Sequence, residues 1–103
     1  MKLIVSRLAQ LQISQTAGYL KWRNGDESMR KFLSSVRKAK LLLRRHPNIG
    51  PTEPLLADRT RSYRSLVVTP YNKFIYTISD DTIEVAAFWD TRRDPSALND
   101  EVK

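Results

Sequence analysis

The chain has 103 residues, 41% of them hydrophobic and 28% charged, with no cysteine and one histidine. That length supports a single core, hence one domain over residues 1–103, and the lack of cysteine excludes disulfide scaffolds, thiol nucleophiles and cysteine-based zinc sites. Lys and Arg number 18 against 11 Asp and Glu, a formal net charge of +7. The excess lies in one half: residues 1–50 hold 11 basic and 2 acidic residues (net +9), and residues 51–103 hold 7 and 9 (net −2). Such a basic face suits nucleic acid, a ribonucleoprotein or an acidic protein partner. The apolar run Leu3-Ile4-Val5 is too short for a signal-peptide core, and nothing approaches the roughly 20 apolar residues of a membrane span. A cytoplasmic location without membrane contact is expected.

Leu3 to Val5 fit a short first strand, and Ser6 is placed to cap a helix beginning at Arg7. From Arg7 to about Trp22 the positions Ala9, Ile13, Ala17 and Leu20 recur at the period of one helical face. Arg23-Asn24-Gly25-Asp26 signals a turn, with Asp26 or Ser28 as cap of a second helix. That helix sets Met29, Phe32, Val36, Ala39 and Leu43 on one stripe, with Leu33 beside it, and ends before Pro47. Its other face is basic: Arg30, Lys31, Arg37, Lys38, Lys40, Arg44 and Arg45 lie between Ser28 and His46 without an intervening acid. Arg44 and Arg45 also complement the negative end of the helix dipole, which accounts for two of them without any ligand.

Residues 48–54 read as a loop, since Pro47, Gly50, Pro51 and Pro54 stop any helix. Ser62 to Val68, Lys73 to Ser79 and Thr82 to Trp89 then read as strands, rich in Val, Ile, Thr, Tyr and Phe and joined by short turns, so they form an antiparallel meander. The order β-α-α-β-β-β predicts an α+β fold in which two antiparallel helices cover one face of a twisted, mainly antiparallel sheet of about four strands. The opposite face is expected to be open, with Tyr63, Arg64, Lys73, Tyr76 and Trp89 along its strands and Arg92 and Arg93 just beyond. Aromatic and basic side chains there suit RNA by stacking and phosphate pairing, or else Tyr76 and Trp89 are core aromatics.

The Pro47-Asn48-Ile49-Gly50 exit from the second helix, Tyr63-Arg64-Ser65-Leu66, Phe74-Ile75-Tyr76-Thr77-Ile78 followed by Asp80-Asp81, and Trp89-Asp90-Thr91-Arg92-Arg93-Asp94-Pro95 occur in an order that resembles the RelE/ParE superfamily of bacterial toxins. The likeness covers nearly the whole chain. It implies the toxin of a type II toxin-antitoxin pair, neutralised by a protein antitoxin. The charge balance suggests that this antitoxin is acidic and partly disordered until bound.

The superfamily divides by target. RelE-like members cut messenger RNA on the ribosome, and ParE-like members inhibit DNA gyrase without nuclease activity. By resemblance to the RelE pattern, Arg64, Lys73 and Arg92 fall where cations would neutralise the scissile phosphate, without metal or cofactor. Against that branch, many cleaving members carry a Tyr or His near the carboxy terminus where this chain has Leu98, and no histidine follows His46. The Arg92-Arg93-Asp94-Pro95 ending is closer to the ParE branch. Asp90 and Asp94 read as partners of Arg92 or Arg93 and not as metal ligands. The expectation is therefore a ParE-like gyrase inhibitor, with a RelE-like ribosome-dependent endoribonuclease as the alternative and a non-toxic RNA- or ribosome-binding module as a third. The ribonuclease reading requires Arg64, Lys73 and Arg92 to converge on one open patch, and the RNA-binding module would bind RNA without harming cells.

Overall fold

Ser6 turns the first strand into the first helix. In the computed structural model, which describes residues 1–102, its hydroxyl accepts from the Ala9 backbone N–H at 3.1 Å and donates to the Ala86 carbonyl at 2.8 Å. The cap thus fastens strand β1 (Lys2–Val5) and helix α1 (Arg7–Asn24) to the interior strand that carries Ala86. Gly25, at φ 92°, joins α1 to α2 (Asp26–Arg45), a backbone conformation that L side chains adopt only at a cost. Gly25 therefore takes the cap position expected for Asp26 or Ser28, and Asp26 and Glu27 instead occupy the first turn, where their charge suits the helix dipole.

A 3-10 turn (Pro54–Leu56) precedes β2 (Tyr63–Thr69), β3 (Asn72–Ser79) and β4 (Thr82–Asp90), and a third helix, α3 (Pro95–Glu101), follows. The strand order is β1-β4-β3-β2, with β1 parallel to β4 and the other pairs antiparallel. Both expected helical stripes face the sheet. Ala9, Ala17, Phe32, Val36, Ala39 and Leu43 are buried against Phe74, Tyr76, Ile83, Val85 and Phe88, with Phe88 edge-on to Phe32 and Phe74 at 5.6 and 5.8 Å. Each large side chain so buried is worth about 1.5–3 kcal/mol, which outweighs the low helix propensity of Thr16 and Gly18 in α1.

The opposite sheet face is covered, contrary to the open surface expected. Leu56 from the 3-10 turn, Leu98 from α3 and Val102 beyond it pack on Tyr63, Ile75, Ala87 and Trp89 in a second cluster. A bulge in β4 sets up this cluster. Ile75 pairs with Ala87 but Tyr76 with Val85, so Ala86 is extra. Strict alternation would put Val85, Ala87 and Trp89 on one face; the bulge sends Val85 to the helices and the other two to the second cluster. Among the described residues no helix is long and apolar enough to cross a membrane.

Candidate functional site

Tyr63, Tyr76 and Trp89, candidates for an open stacking surface, are all buried, at 4, 0 and 2% exposure, so Tyr76 and Trp89 are the core aromatics of the other reading. Tyr63 and Trp89 belong to the second cluster and Tyr76 to the helix side. The Tyr76 hydroxyl donates to the Pro47 carbonyl at 2.9 Å and accepts from the Gly50 N–H at 3.0 Å. Burial pushes its pKa above the ordinary phenol value, with the Gly50 hydrogen bond and the Arg64 charge opposing.

The four candidate cations occupy separate places. Arg64 pairs across the ladder with Tyr76 and so shares the helix side of the sheet. Its guanidinium donates to the carbonyls of Gly50 at 2.7 Å and Asn48 at 3.3 Å, so its donors are directed at the loop after α2. Lys73, an odd number of residues from Tyr76 along β3 and opposite Trp89, points to the other face. There its ammonium forms an ion pair with Glu53, whose side chain is 1% exposed and which also caps the 3-10 turn by accepting from the Leu55 N–H.

Arg92 lies past the end of β4. It grips Asp90 through Nε at 3.0 Å and Nη2 at 2.9 Å, and its guanidinium stacks 4.3 Å from the Tyr71 ring centroid. The hydrogen bond from Arg92 holds the Asp90 carboxyl below the usual carboxylate range, against a smaller opposing effect of burial. Arg93 stacks 4.5 Å from the centroid of Trp89 and chelates Glu101 at 3.0 and 3.1 Å. Asp94, expected as an arginine partner, instead caps α3 by accepting from the Ser96 N–H at 3.0 Å, which lowers its pKa.

Arg64, Lys73 and Arg92 therefore do not converge: two lie on opposite faces of the sheet and the third beyond its end, each directed at a partner within the protein. Among the described residues no group of three His, Asp or Glu is placed to hold a metal ion.

Concave surface occurs elsewhere. One cleft of about 400 Å³ lies between α1 and the ends of β3 and β4, lined by Gln12, Gln15, Thr16 and Tyr19 on one side and by Asn72, Asp90 and Arg92 on the other. Tyr19 and its neighbour Trp22 escaped the sequence reading because they fall off the buried stripe of α1. A groove between α2 and β2 is lined by Lys38, Leu42 and Val67. On its far side Val67 is 72% exposed, on the edge strand of the sheet.

Known proteins share this architecture. A chromosomal ParDE toxin-antitoxin structure from P. aeruginosa superposes with a TM-score of 0.73 at 15% identity, over 89% of this chain and 97% of that one. A YoeB/ParE toxin from Agrobacterium tumefaciens gives 0.60 at 19% identity, over 87% and 98%. A YoeB dimer from Staphylococcus aureus gives 0.58 at 19%, over 85% and 93%. No curated protein matches the sequence significantly. The profile of the ParE toxin of the type II toxin-antitoxin system parDE matches residues 3–95, and the chain accordingly belongs to the ParE toxin family, as a type II toxin with a cognate antitoxin.

Proposed function

We propose that this toxin acts by binding a folded protein target, DNA gyrase, and not by cutting RNA. The observation that carries the reading is the dispersal of the cations a ribonuclease would need. To stabilise the charge that develops when a 2′-hydroxyl attacks a phosphate, donors must lie within about 3 Å of one oxyanion position. Arg64 is instead committed to the carbonyls of Asn48 and Gly50, Lys73 to a buried carboxylate on the opposite face, and Arg92 to Asp90. No histidine follows His46, and Leu98, which stands where many cleaving relatives carry a base, is fully buried.

The antitoxin's contribution follows from charge. Among the described residues, the seven cations between Ser28 and His46 make a single ion pair, Lys31 with Glu27, and that one is exposed at 3.6 Å. Together with the apolar groove of Leu42 and Val67, this face suits an acidic segment that folds as it binds.

The test is a supercoiling assay with purified gyrase beside a cleavage assay on ribosome-bound messenger RNA. Loss of supercoiling with intact RNA is expected. Cleaved RNA with normal supercoiling would overturn the reading.

A further inference from the structure

The stripe that docks α1 onto the sheet, Ala9, Ile13, Ala17 and Leu20, leaves Trp22 nearly opposite it, about 175° around the helix, and Tyr19 on the flank, about 115° away. Trp22 is 79% exposed, the largest such fraction among the exposed apolar side chains. Its ring neighbours that of Tyr19 at 6.2 Å between centroids. The β2–β3 turn brings up Tyr71, itself 53% exposed, and the end of β4 lays the Arg92 guanidinium on that ring. Tyr19 and Arg92 are opposite walls of the cleft between α1 and the sheet, and no residue of α2 lines it. Tyr19 and Arg92 thus line the cleft, with Trp22 next to the one and Tyr71 under the other, so three elements contribute to one aromatic patch.

The charge at this surface is already balanced. Arg92 is held by Asp90, and Arg93, at the rim, by Glu101. A polyanion or an acidic segment gains little here, whereas the basic face of α2 offers it uncompensated charge. The residue types are those that carry most of the binding energy between folded proteins: large, rigid aromatic faces and a planar cation, beside the amides of Gln15 and Asn72.

We propose that the patch formed by Tyr19, Trp22, Tyr71 and Arg92 is where the toxin grips its folded protein target, leaving the basic α2 face to the antitoxin. The proposal rests on the reading that the target is a protein, and it makes toxicity and antitoxin binding separable by mutation.

The test compares Trp22→Ala and the double variant Tyr19→Ala/Tyr71→Ala with the wild type in gyrase supercoiling inhibition, in antitoxin affinity and in thermal unfolding. Each variant is expected to need roughly thirtyfold more toxin for half inhibition, the scale of an interface hot spot. Antitoxin affinity and melting temperature are expected to stay at the wild-type values, because these rings are solvent-exposed. Trp22→Phe, which keeps an aromatic face, is expected to recover part of the inhibition. The double variant Lys38→Ala/Arg45→Ala on α2 should show the converse, with weakened antitoxin binding and normal inhibition.

Patch variants that inhibit gyrase as the wild type does would overturn the proposal while the gyrase reading stands. A parallel loss of antitoxin affinity would overturn it by assigning the patch to the antitoxin. Wild-type self-association that the patch variants abolish would overturn it by assigning the patch to a second copy. Failure of the gyrase reading itself is distinguishable, since the wild-type toxin would then leave supercoiling untouched.

Discussion

Arg64 and Tyr76 face each other across β2 and β3 and hold the same loop. The Gly50 carbonyl accepts from Arg64 at 2.7 Å, while the Gly50 N–H donates to the Tyr76 hydroxyl at 3.0 Å. A Cβ at residue 50 would lie 2.2 Å from the Ser65 carbonyl oxygen and 2.9 Å from that hydroxyl, so this position accommodates glycine alone. The loop after α2 is thereby pinned to the sheet by one side chain from each of two neighbouring strands.

Arg64→Ala and Tyr76→Phe are each expected to lower stability by about 1–3 kcal/mol, because each leaves polar groups of the loop without a partner. In a domain of this size that corresponds to a fall in melting temperature of about 4–8 °C per kcal/mol. Gly50→Ala is expected to cost at least as much through backbone overlap. Thermal unfolding checks all three. An Arg64→Ala protein with unchanged melting temperature and no toxicity would instead make Arg64 a residue of the toxic site.

The pair of Lys73 and Glu53 ties the 3-10 turn to β3 under the second cluster. Removing one partner of a buried pair strands the other charge, so Lys73→Met is expected to destabilise by about 3–5 kcal/mol. Lys73→Met combined with Glu53→Leu is expected to cost clearly less than the sum of the two single changes, since no charge is then left unpaired. Denaturant unfolding of the four proteins in the cycle gives the coupling energy, and strict additivity would show that the ion pair contributes nothing.

Two pH limbs arise from the groups with shifted pKa. The carboxyl of Asp90 titrates lower in the folded chain than in the unfolded one because Arg92 donates to it. Its stabilising effect is therefore present above the unfolded value of about 3.9 and is lost as pH falls through the lower folded value. Solvent screens the pair, so the effect is modest. Arg92→Ala is expected to return the Asp90 titration, followed by carboxyl NMR, to the ordinary range. Tyr76 shifts the other way: its stabilisation is complete below about pH 10 and is lost as pH rises through the higher folded value. Tyr76→Phe is expected to remove that alkaline loss, and an alkaline slope unchanged in the variant would assign it to another group.

The antitoxin complex is expected to weaken as salt rises, because the cations of α2 are screened within about 10 Å at 0.1 M ionic strength. Affinity measured from low to high salt checks this, and a flat dependence would remove electrostatics from antitoxin recognition.

The helical hairpin was legible in the sequence because one face of each helix is buried and the period of 3.6 writes that face into the residue order. Ser6 was legible as a cap for the same local reason. The second sheet face was not. Asp94-Pro95 does carry a helix-start signal, an acidic cap before proline, but nothing local says that Leu98 and Val102 fold back over Trp89. The extra residue at Ala86 reverses which face the following residues occupy, and a bulge has no mark in period two. The side taken by Arg64 depended on strand register, which its pairing with Tyr76 fixes. The partnership of Lys73 with Glu53 spans a loop and two strands, so sequence spacing gave no hint of it. Lys73 therefore read as a free cation. Tyr19 and Trp22 were visible as residues but not as a surface, because Tyr71 and Arg92 join them only through the tertiary fold.

Pulse labelling of DNA and protein synthesis in the same bacterial culture after the toxin is induced decides between gyrase and the ribosome as its target. A toxin that binds gyrase is predicted to stop DNA synthesis first while translation continues, and to do so still with Lys73→Arg, which keeps the buried ion pair. Arrest of protein synthesis ahead of DNA synthesis, with cleaved messenger RNA in the same cells, would refute gyrase binding as the toxic act.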